Sequence, residues 1–200
     1  MRIGKESTSE ERILRFLDIT QDYNRMHKDR KIFPGMFYLA LSAPYIRKPI
    51  SSLEINFRHM VEYPFECELV KEDIKNGTRL EFRKNRHVLC IENIFFNEAK
   101  EQDIVAGLED FARNIGTEQD YQNLRKIWLV CCIPGKLMRY LGNNQGIYLK
   151  QTLAFLKKLP KNVKLKIKLN ERKKKRRDIN MNYVDGKEVI ATGNAEVAIF

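Results

Sequence analysis

The sequence predicts an α+β protein in which one long antiparallel sheet, or two sheets joined, wraps around two buried helices. Three observations carry that expectation. Two apolar helical segments each open on Pro-Gly, at Pro34-Gly35 and at Pro134-Gly135. A run of four strand-like segments follows each of them. The landmarks then recur in the same order in both halves of the 200-residue chain, which points to an internal duplication.

Taken in order, Ser7 with Glu10, or Thr8 with Glu11, has the spacing of a helix-opening capping box. The apolar positions Ile13, Phe16, Leu17 and Thr20 then predict a helix ending near Asp22. A second helix is expected from Pro34 to just before Pro44. Met36, Phe37, Leu39, Ala40, Leu41 and Ala43 leave it almost no polar face, so it belongs inside the protein. Strands are expected at Leu53–Phe57, Phe65–Val70, Arg79–Arg83 and Val88–Phe96, with Asn76-Gly77 as a hairpin turn. Phe65, Cys67 and Leu69 alternate with Glu66, Glu68 and Val70, the pattern of a sheet with one buried face. Residues 98–124 read as a polar, helical connector. The apolar segment from Ile127 to Leu141 holds the second helix, and strands follow at Ile147–Phe155, Val163–Leu169, Asp178–Val184 and Val189–Phe200.

Charge and cysteine usage narrow the function. The net charge is +11, and the first hundred residues carry 18 basic against 15 acidic side chains while the second hundred carry 19 against 11. Most of the excess lies between Lys157 and Arg177, where twelve basic residues face only Glu171. Such a ribbon suits nucleic acid, an anionic membrane, coenzyme A phosphates or an acidic carrier protein, or simply forms a solvated hairpin face. It lacks interleaved aromatics for stacking on bases, which ranks nucleic acid last. No apolar run approaches the roughly 20 residues that cross a bilayer. The first residues hold no apolar signal core, so a cytoplasmic protein is expected. Cys67, Cys90, Cys131 and Cys132 form no CxxC pair and are expected as buried free thiols. His59 and His87 have no acidic partners at ligand spacing, and no metal is expected. The GxSxG, GxxxxGK[ST], GxGxxG and HExxH patterns are all absent.

The chemistry-bearing stretch is Asp22-Tyr23-Asn24-Arg25-Met26-His27-Lys28-Asp29, just ahead of Phe33-Pro34-Gly35-Met36. An acid and an imidazole together hold and deprotonate water, and a helix start offers free N–H groups to a carbonyl oxygen. On a continuous helix, residues five apart are separated by roughly 140°. Asp22 and His27 therefore converge only if the chain leaves the helix between them, and Asn24 suits such a turn.

These residues, with Leu53-Glu54-Ile55-Asn56-Phe57 after them, resemble the MaoC-like, (R)-specific enoyl-CoA hydratase branch of the hotdog fold. The family pattern is D-x-N-P-[IL]-H-x-D, a loop, then H-G-M at the helix. Here Arg25 replaces the proline, Met26 the Ile or Leu and Pro34 the His, and only five residues separate Asp29 from Gly35. In the second half, Gly146–Phe155 looks like the strand after a hotdog helix, and 185–197 like a last hairpin. The resemblance implies a double hotdog: a first repeat over 1–100 with the motif, a connector over 101–124 and a second repeat over 125–200 without it. It further implies that Asp22 and His27 activate water for addition across the C2=C3 bond of an enoyl thioester, or run the reverse dehydration. Asn24 would orient the loop or the water, Gly35 or Met36 would supply the oxyanion N–H, and Asp29 would fix the loop. The substrate would be an acyl chain on coenzyme A or on an acyl carrier protein, with no other cofactor. Lys173, Lys174, Lys175, Arg176 and Arg177 would meet its phosphates or the carrier. A monomer or homodimer with one site per chain is expected. The alternative is a thioesterase-like or non-catalytic acyl-thioester-binding protein.

Overall fold

The chain buries its apolar faces on one nine-stranded antiparallel sheet. The structure is a computed structural model describing residues 1–97, 108–115, 121–142, 146–173 and 175–199. The strands are β1 (Arg2–Thr8), β2 (Ile50–Phe57), β3 (Phe65–Ile74), β4 (Gly77–Lys84), β5 (His87–Phe96), β6 (Gly146–Phe155), β7 (Lys164–Lys173), β8 (Arg176–Asp185) and β9 (Glu188–Ile199). Their order in the sheet is β1-β3-β4-β5-β2-β6-β9-β8-β7. Read outward from the middle, β2-β5-β4-β3 and β6-β9-β8-β7 run in matching order within the one sheet. β2 and β6 join the two runs, in register from Ser52 opposite Ala154 to Asn56 opposite Lys150.

Among the described residues six α-helices accompany the sheet: α1 (Glu10–Thr20), α2 (Arg25–Asp29), α3 (Phe37–Ser42), α4 (Leu108–Ile115), α5 (Tyr121–Cys131) and α6 (Ile133–Leu141). α1 is capped one or two residues later than its expected capping box, because Ser7 and Thr8 belong to β1. Ser9 is the cap, and its hydroxyl accepts the Arg12 N–H at 3.2 Å. α3 is fully buried, as its missing polar face requires, and packs against α5. Pro34 and Gly35 form the turn that enters it: their carbonyls accept the N–H groups of Phe37 (2.9 Å) and Tyr38 (3.2 Å). The expected connector over 101–124 contains α4, whose Phe111 packs on Phe16, and the opening of α5; its remaining residues lie outside the described ones. α5 is tied to the sheet by buried polar side chains. The Asn123 carboxamide accepts the Ile50 N–H at 2.9 Å, and Lys126 Nζ donates to the Ile50 carbonyl at 2.8 Å.

The hairpin after β3 is shifted by one residue from the expected Asn76-Gly77. Lys75 and Asn76 are the turn, Asn76 taking the positive φ of 61°, while Gly77 already pairs with Ile74. Glycine is required at 77 for a different reason: a Cβ there would overlap the Ile94 carbonyl on β5. All four cysteines are buried and free. Burial pushes the Cys67 thiol up to about 12 and Cys132 up to about 11, the state of core thiols and not of nucleophiles.

One inward row of the sheet breaks the apolar pattern. Glu92 on β5 and Gln151 on β6 lie either side of Ile55 on β2, all three fully buried. Neither polar side chain has a hydrogen-bond partner among the described residues. The nearby Ser42 hydroxyl donates instead to the Leu39 carbonyl at 2.9 Å. Burial pushes the Glu92 carboxyl up to about 8, with Ser42 alone opposing the shift. The folded protein thus holds Glu92 protonated where the unfolded chain, with an ordinary value of 4.5, does not. Its stability is full below about pH 4.5 and is lost as pH rises towards 8, at about 1.4 kcal/mol per unit at most. Urea unfolding from pH 5 to 8 should show that decline in the wild type and a much flatter profile in Glu92→Gln.

Candidate active site

The motif loop is built by two successive caps. α1 ends at Thr20, Gln21 takes a left-handed φ of 55°, and the Asp22 N–H returns to the Leu17 carbonyl at 2.9 Å. Asn24 then opens α2, its Oδ1 accepting the Met26 N–H at 3.1 Å. The chain leaves one helix and enters the next between Asp22 and His27, as their convergence requires. His27 Nε2 stands 3.5 Å from Asp22 Oδ2. Asp22, Asn24 and His27 are buried at 3%, 4% and 8% exposure, an unusual state for two ionisable groups outside a site.

The polar atoms of this loop are matched to one another and to the strands beside it. The Asn24 N–H donates to Asp22 Oδ1 at 3.3 Å, and its Nδ2 donates to the Gly146 carbonyl at 2.5 Å, clamping the loop to β6. The Ile32 carbonyl lies 2.8 Å from His27 Nδ1 and can only accept, so Nδ1 carries a proton. Nε2 is therefore the ring atom that gains or loses one, and it faces the carboxylate. Tyr63 Oη donates to the His27 carbonyl at 2.7 Å. Burial pulls the imidazole pKa down, but the hydrogen bond and charge of Asp22, with the Ile32 carbonyl, outweigh it and leave it above 6.5.

Asp22, Asn24, His27, Gly35 and Met36 all line one cavity of about 340 Å³, at the small end for a ligand site. Its apolar wall includes Phe33, Phe57, Val61 and Met138. A Cβ on Gly35 would lie 2.9 Å from the Phe57 ring, so glycine permits the close approach of α3 and β2. Among the described residues nothing accepts the Gly35 or Met36 N–H, and both residues line the cavity. Gly135, its counterpart in the second half, serves a different packing need. A Cβ there would overlap the Gln21 carbonyl, so glycine lets α6 press against the motif loop.

The other expected residues fare differently. Asp29 is exposed at the end of α2, and its side chain holds no described residue. Backbone bonds fix the following loop instead, from Ile32 N–H to Met26 O (3.1 Å) and from Phe33 N–H to Val61 O (2.8 Å). Arg25 is exposed and Met26 buried, so the departures from the family pattern leave the Asp22–His27 approach intact. In the basic turn, Lys174 lies outside the described residues and Lys173 closes β7 opposite Arg176. Lys175 and Arg176 are exposed, and Arg176 pairs across the ladder with Ala198, a cavity-lining residue of β9. The turn therefore sits at the cavity end of the sheet. His59 is at the cavity wall with its ring 5.7 Å from that of His87, and no metal-binding cluster occurs among the described residues. Sequence reasoning missed the contribution of the second half: Pro134, Met138, Gly146 and Tyr148 also line the cavity.

No protein-family profile and no curated protein sequence matches the chain. Solved structures do match in fold. A MaoC-like dehydratase superposes with a TM-score of 0.71 at 6% identity, over 100% of this chain and 97% of its own. HtdX from Mycobacterium tuberculosis gives 0.68 at 8% identity, over 100% and 99%. A putative thioesterase from Novosphingobium aromaticivorans gives 0.56 at 12% identity, over 84% and 88%. The chain has the hotdog fold of these proteins. Among the described residues no helix is long and apolar enough to cross a membrane.

The raised His27 pKa has a stability consequence. The proton held by the folded state stabilises it fully below about pH 6.5, and that contribution is lost as pH rises through the folded value. An NMR titration should place the His27 midpoint above 6.5 in the wild type and below it in Asp22→Asn. The stability gap between the two proteins should narrow as pH rises from 6 to 9.

Proposed function

We propose that this chain is a double-hotdog hydratase or dehydratase acting on acyl thioesters, with Asp22 and His27 as its catalytic pair. A first repeat over 1–100 carries the site, 101–124 connects, and a second repeat over 125–200 closes the cavity from the other side. The observation that carries the reading is the buried Asp22–His27 approach at 3.5 Å, in a cavity also lined by Gly35 and Met36, whose N–H groups have no partner among the described residues.

In the hydration direction Asp22 and His27 Nε2 hold one water. As its oxygen bonds to C3, the pair takes a proton from it, and the C2=C3 electrons move toward the thioester to give an enolate. The Gly35 and Met36 N–H groups meet the negative charge on the thioester carbonyl oxygen. The pair then returns one proton to C2, so that one water is added and nothing is left over. Dehydration is the same sequence reversed. Asn24 acts by position, holding the loop to β6. The acyl group is carried on coenzyme A or on the phosphopantetheine of a carrier protein, which is part of the substrate; no separate cofactor or metal is used. Lys173, Lys174, Lys175, Arg176 and Arg177 would meet its phosphates or an acidic carrier. The chain acts in the cytoplasm as a monomer or homodimer.

A second reading keeps the fold and changes the bond attacked: the same water directed at the thioester carbon would make a thioesterase. The likeness to a putative thioesterase supports it. One experiment separates the two. Crotonyl-CoA is supplied, and loss of enoyl absorbance is followed alongside release of free thiol. Hydration without thiol release is expected, with kcat reduced about 10²-fold or more in both Asp22→Asn and His27→Gln, each still folded at the assay temperature. Thiol release lost in the same variants would establish the thioesterase instead, and a wild type inert in both assays would leave acyl-thioester binding as the function.

A further inference from the structure

The cavity meets solvent at one corner of the first half. Of the residues that line it, only Arg58, His59 and Met60 are exposed, and every other one is buried or half-buried. The three follow directly on β2. The N–H groups of Arg58 (2.8 Å) and His59 (3.3 Å) both donate to the Leu89 carbonyl on β5, which fixes this corner against the β4–β5 hairpin. Beside that contact the His59 ring stands 5.7 Å from the ring of His87, the first residue of β5.

The hairpin brings further cations to the same corner. His87 follows the two-residue turn Asn85-Arg86, whose residues take positive φ of 50° and 69°. Glycine is the usual second residue of such a turn, so Arg86 places a guanidinium where the backbone prefers no side chain. Lys84 closes β4 opposite His87, and its Nζ lies over the Phe65 ring at 5.5 Å. Among the described residues no carboxylate pairs with Arg58, Lys84 or Arg86. Glu62 and Glu66, the acids on the adjoining segment, are exposed and pair with none of them. Two imidazoles at this spacing can share a metal ion, but three surrounding cations repel one. The same field attracts an anion.

Met60, 58% exposed, sets an apolar side chain next to the Arg58 guanidinium. That opening suits a ligand with an apolar stem that ends in an anion. The cavity, at about 340 Å³, has room for the acyl end of a coenzyme A thioester and not for its nucleotide, so the phosphates of such a ligand lie outside it. None of the described residues of the β7–β8 turn lines the cavity. A guanidinium matches two phosphate oxygens with parallel N–H bonds, and each imidazole adds a ring N–H. We propose that Arg58 and His59, with Arg86 and His87 beside them, bind a phosphate of the thioester's carrier at the cavity opening. This rests on the acyl-thioester reading and names where the carrier end of the substrate is held.

Equilibrium dialysis of three saturated thioesters tests it without turnover. Butyryl-pantetheine has no phosphate, butyryl-phosphopantetheine has the one that coenzyme A and a carrier protein share, and butyryl-CoA adds those of the nucleotide. The wild type should bind a phosphate-bearing form about 10-fold tighter than butyryl-pantetheine, and the gain should shrink to about 3-fold as salt rises from about 0.05 to 0.5 M. Arg58→Gln should cut the gain to about 2-fold or less, keep its affinity for butyryl-pantetheine and keep its melting temperature. Arg58→Lys should restore part of the gain, and His59→Gln combined with His87→Gln should lower it about 2-fold. In the hydration assay Arg58→Gln should raise KM for crotonyl-CoA about 5-fold with kcat little changed. A gain already present in butyryl-phosphopantetheine assigns the site to the shared phosphate; one that appears only in butyryl-CoA assigns it to the nucleotide. A gain that survives in Arg58→Gln, or a wild type that binds all three alike, overturns the assignment and leaves the hydratase reading intact. A gain lost in Lys175→Gln and kept in Arg58→Gln moves the phosphate to the β7–β8 turn and also overturns it. A phosphate gain controlled by Arg58 in a protein that hydrates nothing supports the site and overturns hydration. A wild type that binds none of the three overturns both.

Discussion

The pairing of β2 with β6 is the constraint on which the rest of the molecule depends. Alone, β2 and β6 would each expose a row of unpaired backbone groups, an unstable arrangement for a strand so apolar on one face. Joined from Ser52/Ala154 to Asn56/Lys150, they make one continuous sheet with β2 bonded on both sides. The Lys150–Glu54 ion pair at 2.6 Å lies on this seam, partly exposed, and adds little beside the ladder itself. The seam decides where the site falls. It brings the start of β6 to the motif loop, so that Asn24 can reach Gly146 across 122 residues of sequence. The cavity can then draw Asp22 and His27 from one half and its opposite wall from the other.

What was legible in the sequence follows from what each pattern records. Phe65, Cys67 and Leu69 alternate because one face of β3 is buried, so that strand could be read directly. β1 could not: it is an edge strand of which only Thr8 is buried, and Arg2 to Ser7 shows no apolar alternation. That hidden strand also displaces the helix cap, since Ser7 and Thr8 offer the right spacing while Ser9 does the capping. The turn between Asp22 and His27 was readable because two side chains five apart cannot meet on one helix. Tyr148 was readable as a strand residue and no more. That its hydroxyl lacks a partner among the described residues depends on the groups the fold brings to it, and no local pattern encodes that.

The buried polar groups divide into two kinds by how their desolvation is offset. Asp22, Asn24 and His27 form a chain in which nearly every donor and acceptor is matched, from Leu17 through to Ile32 and Gly146. Such a network is rigid because breaking one member leaves another unpaired at a cost of about 1–3 kcal/mol. Glu92 and Gln151 are offset by nothing described, and they sit in the sheet row that crosses the seam at Ile55. An apolar pair at these positions would be expected on stability grounds alone. The fold therefore tolerates a weakened centre, which the two strand ladders on either side of β2 are able to hold.

The basic ribbon of the second half resolves into two physically different parts. Lys164, Lys166 and Lys168 alternate with the half-buried Leu165, Ile167 and Leu169 along β7, the last strand of the sheet. Charged side chains spaced along an edge strand repel a second copy of that edge, which accounts for these lysines without any ligand. The turn that follows is not part of that row. It closes the β7–β8 hairpin at the end of the sheet where Ile147 and Ala198 reach the cavity, one ladder step from Arg176. Adjacent strands are about 5 Å apart. Arg176 there is ion-paired with Glu196 at 2.7 Å, which offsets its charge. The lysines of β7 protect an edge, while the turn beyond them is distinguished by its place at the cavity end of the sheet.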